Sequence, residues 1–155
     1  MAEGARPGGL SRHRARVGEY KRMPLSRCNV LIVEDQAIIA LDLQAAVEEA
    51  NAQVIGPAPT VREALDLLDT DEIHAAILDA NLPDGDITPV AEELIDRGVP
   101  FVINTGVAVP LNLRRFPDLP VFRKPTPASR LIRELAGRLP VCLAPRTARA
   151  GAVLG

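Results

Sequence analysis

Residues 75–85 read Ala-Ala-Ile-Leu-Asp-Ala-Asn-Leu-Pro-Asp-Gly. Four apolar residues followed by a turn-rich stretch are the mark of a short strand buried on both faces, the kind found in parallel sheets. Three other runs share the design: Val30–Val33 followed by Glu34-Asp35, Phe101–Asn104 followed by Thr105, and Val121–Arg123 followed by Lys124. Each run ends in a different polar residue. If the runs are parallel strands of one α/β sheet, their carboxyl ends meet at one crevice, where open α/β sheets place their ligands.

The intervening segments supply the helices. Gln36 to Ala50 carries Ile38, Ile39, Leu41, Leu43 and Val47 as an apolar side and Glu48-Glu49 as a wet one. Gln53–Ile55 resumes an extended run that Gly56 and Pro57 are expected to close. Thr60 and Glu63 have the spacing of a capping box, which predicts a helix from there to about Leu68. A further helix is expected from Thr88 to Arg97, leading through Gly98 into Val99–Asn104. Thr126 is expected to cap the last helix, with Pro127 at its first position and Leu131, Ile132, Leu135 and Leu139 facing inward. Strand–helix alternation implies a doubly wound parallel sheet with right-handed crossovers.

Composition sets the bounds. The 155 residues suffice for one core, and with 47% hydrophobic but 3% aromatic residues that core is aliphatic. No apolar run nears the roughly 20 residues of a membrane helix, and no apolar stretch of about 7–15 residues follows the basic start as a secretory signal requires. A cytoplasmic location is expected. Cys28 and Cys142 lack metal-ligand spacing and read as free thiols. His13 and His74 have no partner motif and read as surface groups. Three zones emerge: a basic arm over residues 1–27, expected to be disordered; a folded domain over 28–140; and a small, polar tail over 141–155. The net charge of −2 argues against a surface built for nucleic acid, leaving the arm as its one candidate contact.

The strand ends supply a chemistry. A carboxylate attacks a phosphoryl group poorly because both are negative, so charge must first be compensated. Glu34, Asp35 and Asp79 would crowd three carboxylates into one pocket, which a divalent cation relieves. Magnesium, a hard ion that keeps several waters, suits such a set, and the backbone carbonyl of Asn81 could complete the protein's share. Lys124 would neutralise one phosphoryl oxygen, while the Thr105 hydroxyl and backbone amides take others. Of the eighteen cationic residues only Lys21 and Lys124 are lysine, so the ammonium at a strand end is not a compositional default. Singly, each residue has a plainer role: Glu34-Asp35 as a helix-start charge pair, Asp79 as a turn residue, Thr105 as a strand end. The conjunction decides against those roles.

Val-Glu-Asp-Gln at 33–36, Leu-Asp-Ala-Asn-Leu-Pro-Asp-Gly at 78–85, Thr-Gly at 105–106 and Lys-Pro at 124–125 resemble the response-regulator receiver family over about residues 28–139. The resemblance implies a flavodoxin-like five-stranded sheet of order 2-1-3-4-5. It also implies that Asp79 accepts a phosphoryl group from a sensor histidine kinase or histidine phosphotransfer protein, with magnesium on Glu34, Asp35, Asp79 and the Asn81 carbonyl. Thr105 would move toward the phosphoryl group and Lys124 would pair with it. Such a domain signals and is not an enzyme in its own right. Two departures stand out. The Thr105–Lys124 interval is about one helical turn short and holds Pro110, Pro117 and Pro120, so the usual fourth helix is expected to be absent or reduced to a short turn. Ile103-Asn104-Thr105-Gly106 is similar to the Phe-Ala-Thr-Gly-like motif of a group of single-domain receivers. Val121 stands where many receivers carry an aromatic switch residue. The tail is too short for a DNA-binding output domain, so the expectation is a stand-alone receiver acting as relay, phosphate sink or phosphorylation-dependent binding module. The alternatives are a receiver-shaped interaction module independent of phosphorylation, or a nucleic-acid binder acting through the arm.

Overall fold

The computed structural model describes residues 25–139. The expectations for residues 1–24 and 140–155, with His13 and Cys142, lie outside that range. Five parallel strands form one sheet: β1 (Asn29–Val33), β2 (Gln53–Ala58), β3 (Ala75–Leu78), β4 (Phe101–Thr105) and β5 (Val121–Arg123), in the order β2-β1-β3-β4-β5. This is the 2-1-3-4-5 arrangement expected. Three helices connect successive strands, α1 (Ala37–Glu49), α2 (Val61–Thr70) and α3 (Thr88–Asp96), and a fourth, α4 (Ala128–Arg138), follows β5. Between β4 and β5 there is only a 3-10 turn, Leu111–Arg115, so the fourth helix of the common plan is reduced. Its single buried residue, Leu113, pins it to the core.

Two apolar layers sandwich the sheet because side chains alternate along each strand. Ile32, Ile77 and Val102 face Leu43 and Val47 of α1 and Leu131 and Leu135 of α4. Leu31, Leu78 and Ile103 face Ala64 and Leu68 of α2, and Val90 and Leu94 of α3. Leu25 is buried in the first layer, and Arg27 donates its N–H to the Asn51 carbonyl, so the turn at 25–27 is part of the folded unit. Cys28 is buried and its thiol pKa is raised by that burial.

Several local expectations are corrected. Helix α1 does not bury all its apolar residues: Leu43 and Val47 are buried and Ile39 packs beside them, while Ile38 and Leu41 are 79% and 62% exposed. A stripe at spacing four takes 39, 43 and 47, and residues one before or two after its first member rotate off it. Strand β2 runs on through Gly56-Pro57 to Ala58. Its register slips against β1, where Leu31 pairs with Ile55 but Val33 with Ala58. Gly56 takes this kink at φ +95°, where a Cβ would sit 2.7 Å from the Ala58 nitrogen and 2.9 Å from the Ile32 carbonyl oxygen. Thr126 does not cap α4. Its hydroxyl donates to the Arg123 carbonyl in the turn leaving β5, and Pro127 holds the cap position. His74 is not a free surface group, since its Nδ1 accepts the Asn29 N–H at 2.8 Å and its Nε2 lies 3.3 Å from Glu72 Oε1.

The cap of α2 is richer than its box. Thr60 Oγ1 accepts the Glu63 N–H at 3.1 Å, and Asp84 accepts those of Val61 and Arg62 at 2.8 and 3.1 Å. Three of the four unpaired amides of a helix start are thus taken. Asp84 comes from the small antiparallel hairpin Asn81–Leu82/Gly85–Asp86 that follows β3, and the next helix starts with Thr88 N–H on Asp86 Oδ1 at 2.8 Å.

Candidate functional site

Each strand end delivers its polar residue to the carboxyl edge. The kink at Gly56 brings the Ala58 carbonyl to the Glu34 N–H at 3.0 Å, the Asp79 N–H donates to the Val33 carbonyl at 2.9 Å, and the Lys124 N–H to the Thr105 carbonyl at 2.9 Å. Backbone bonds between neighbouring strands therefore fix where three of the named side chains begin.

Those side chains meet. Lys124 Nζ lies 2.8 Å from Glu34 Oε2 and 3.0 Å from Asp79 Oδ2, bridging two carboxylates that are 3% and 7% exposed as residues. Glu34 Oε1 accepts the Gln36 N–H at 3.0 Å, and Asp79 Oδ1 lies 3.4 Å from the Asn81 N–H. Asp35, exposed, completes the set: one oxygen from each of Glu34, Asp35 and Asp79 lies within 4.8 Å of the others. This is an all-oxygen donor set with a solvent-facing member, which fits a hard divalent cation that keeps part of its water. Asn81, two residues beyond Asp79, is tied to the same mouth by its N–H beside Asp79 Oδ1.

Burial sets the electrostatics. It raises the Glu34 pKa above the ordinary carboxylate value, and the hydrogen bond from Lys124 only partly offsets this. For Lys124, burial pulls the pKa down, but hydrogen bonds to Glu34 and Asp79 and their charges outweigh it, and the net shift is upward. The two shifts pull oppositely on one ion pair. The ammonium is held charged by two carboxylates, whereas Glu34 has one cation to set against deep burial and the nearby charge of Asp79.

Thr105 stands slightly apart. It is 1% exposed, and its hydroxyl accepts the Val107 N–H at 3.2 Å rather than touching Asp79 or Lys124. The structure therefore gathers Glu34, Asp35, Asp79 and Lys124, with Asn81 beside them and Thr105 at the rim. Two residues at this edge were not singled out from the sequence. Asp84 ties the loop after Asp79 to α2, and only its place in a Pro-Asp-Gly turn hinted at a role. Asn104 is buried with no hydrogen-bond partner for its Oδ1 among the described residues, and an amide ending an otherwise apolar run was its one signal.

No protein-family model matches the chain. Over 78 residues it is 31% identical to the transcriptional regulatory protein PdtaR of Mycobacterium tuberculosis, a match covering 50% of this chain and 38% of that protein. The chain thus matches well under half the length of that curated relative. Among solved structures, SdrG from Sphingomonas melonis Fr1 is 37% identical with a TM-score of 0.62, covering 74% of this chain and 96% of SdrG. A response regulator receiver protein from Sinorhizobium medicae WSM419 is 25% identical at TM-score 0.62, over 74% of this chain and 95% of the other. A CheY-like receiver domain protein from Methanospirillum hungatei JF-1 shares the fold at 24% identity and TM-score 0.63, over 73% and 94%. With this fold, these strand-end residues and a relative matched over nearly its whole length, the chain belongs to the response-regulator receiver family.

Proposed function

We propose that the protein is a receiver whose Asp79 accepts a phosphoryl group from a phosphohistidine on a sensor kinase or phosphotransfer protein. The observation that carries this is the convergence of Lys124 on Glu34 and Asp79 at 2.8 and 3.0 Å, beside a three-carboxylate cluster at the carboxyl edge of the sheet. In the transfer an Asp79 carboxylate oxygen attacks phosphorus, the P–O bond forms as the P–N bond breaks, and the imidazole leaves with its electron pair and takes up a proton. Glu34, Asp35, Asp79 and the Asn81 carbonyl would hold magnesium, which when bound would supply the positive charge that lets two anions approach. Lys124 then exchanges an Asp79 oxygen for a phosphoryl oxygen, a short move for an ammonium on a four-carbon stem.

Thr105 offers the readout. To reach the phosphoryl group its hydroxyl must leave the Val107 N–H, which begins the segment carrying the 3-10 turn and the exposed Val107 and Leu111. A signal can therefore pass to that surface without an aromatic residue at Val121. Exposed Ile38 and Leu41, about one and two turns of α1 beyond Asp35, suit docking of the phosphohistidine protein, because a donor that reaches Asp79 must cover this end of the domain. The domain acts as relay, phosphate sink or switchable binding module in the cytoplasm, and it assists only its own phosphorylation and dephosphorylation.

Intact-mass spectrometry after incubation with acetyl phosphate, with and without magnesium, tests the reading. A single magnesium-dependent phosphoryl adduct absent from Asp79→Asn is expected. Folded protein that takes no adduct would favour an interaction module independent of phosphorylation.

A further inference from the structure

Glu34, Asp79 and Asn104 stand abreast on neighbouring strands. Val33 pairs with Leu78 and Leu78 with Ile103, so the next residues of β1, β3 and β4 form a row at the carboxyl edge. They share one face, since Ile32, Ile77 and Val102, two residues earlier, all belong to the layer under α1 and α4. On β5, Phe122 pairs with Asn104 and packs against that same layer, which gives Lys124, two residues on, the same side. Asp79 lies two strands from β5, roughly 10 Å away at ordinary strand spacing. To bring Nζ to Asp79 and Glu34, the Lys124 chain must cross the carboxyl end of β4, whose last residue on this face is Asn104.

Asn104 is otherwise out of place. It is 4% exposed, and its Oδ1 is buried without a hydrogen-bond partner among the described residues. An unpaired buried carbonyl costs stability, and an apolar residue there would match the others on its face. Lys124, in turn, has three N–H donors and spends two, on Glu34 and Asp79. Among the described residues a Lys124 N–H and the Asn104 Oδ1 are thus both without a hydrogen-bond partner, on the same face of the same sheet edge.

We propose that Asn104 is a positioning residue for Lys124, its Oδ1 accepting the third N–H when the ammonium swings from the carboxylates to a phosphoryl oxygen on Asp79. Asn104 fixes the direction of the remaining donors, so the cation meets the incoming charge preoriented instead of being ordered during transfer. This rests on the phosphoacceptor reading of Asp79.

The test compares the full-length wild type with Asn104→Leu, which keeps the size and removes the amide, and Asn104→Thr, which restores an acceptor. The readouts are the rate of magnesium-dependent adduct formation from acetyl phosphate and the urea midpoint. For Asn104→Leu the rate is expected to fall roughly tenfold, the scale of a hydrogen bond to a charged group, with an unchanged or higher midpoint. Asn104→Thr should recover most of the rate. Labelling of Asn104→Leu at the wild-type rate overturns the inference and leaves the phosphoacceptor reading intact. Slow labelling with a lowered midpoint and no recovery in Asn104→Thr overturns it too, making Asn104 a structural residue. A wild type that takes no adduct overturns both readings.

Discussion

Replacing Lys124 with methionine should destabilise the unloaded protein in a way that depends on pH and is partly offset by magnesium. The side chains of Glu34 and Asp79 are 1% and 8% exposed, and Lys124 is the cation that bridges them. Breaking a buried ion pair by removing one partner costs roughly 3–5 kcal/mol. Because the pocket opens to solvent at Asp35, the cost should lie around or somewhat below the bottom of that range, about 2–4 kcal/mol at neutral pH. With a urea m-value of about 2 kcal/mol/M, the middle of the usual range, the midpoint should drop by about 1–2 M. Circular dichroism is the probe, since the chain has no Trp. The sign of the pH dependence follows from Glu34, whose pKa is already raised by burial and loses its opposing Lys124 contributions in the variant. A carboxyl group whose folded pKa exceeds its unfolded one binds more protons when folded, so the penalty is full above the folded pKa. The penalty shrinks as pH falls through that value toward the ordinary glutamate range. Magnesium at ten times its Kd should restore ~1.4 kcal/mol by occupying the carboxylates that the ammonium has left. A loss under about 0.5 kcal/mol that is flat with pH would refute the reasoning, because the bridge would then be a solvated surface contact.

Three further outcomes follow from the same geometry. Gly56→Ala should cost more than ~2 kcal/mol in urea denaturation, combining a positive φ with contacts below 3 Å to backbone atoms that cannot swing aside; a near-neutral effect would mean the β2 kink is not rigid. Ile38→Glu with Leu41→Glu should slow phosphoryl transfer from a phosphohistidine protein at least tenfold while leaving acetyl phosphate labelling unchanged, and equal loss with both donors would exclude a docking role. Asp84→Asn should lower the melting temperature, because the Asp84 pKa is depressed mainly by the Val61 N–H bond. That stabilisation is present above the ordinary aspartate pKa and fades as pH falls through the depressed folded value, so the variant and wild type should converge in acid.

The sheet was legible because its strands are short apolar runs with unmistakable ends. Ala75–Leu78 and Val121–Arg123 have the very bounds read from the sequence. The site was legible for the same reason, since parallel strands deliver their next residues to one edge and backbone pairing leaves little choice in where Glu34, Asp79 and Lys124 begin. What escaped depended on the third dimension. The sequence shows five large aliphatic residues in α1 but not which three share a stripe, so Ile38 and Leu41 were counted inward. Gly56-Pro57 reads as a stop, and only the neighbouring strand shows that it is a kink which keeps pairing and sets the Glu34 amide. Thr126 has the composition of a cap, yet the Arg123 carbonyl competes for its hydroxyl. Asn104 looked like the tail of an apolar run until its register beside Asp79 was known.

The claim that Asp79 carries the phosphoryl group is tested most directly by locating the modification. Protein labelled with acetyl phosphate and magnesium is reduced with borohydride, which converts an aspartyl phosphate to homoserine, and the peptides are sequenced by tandem mass spectrometry. Homoserine at position 79 alone is predicted. Homoserine at Glu34's neighbour Asp35 or elsewhere, or none in protein that has gained a phosphoryl mass, would contradict the assignment of Asp79.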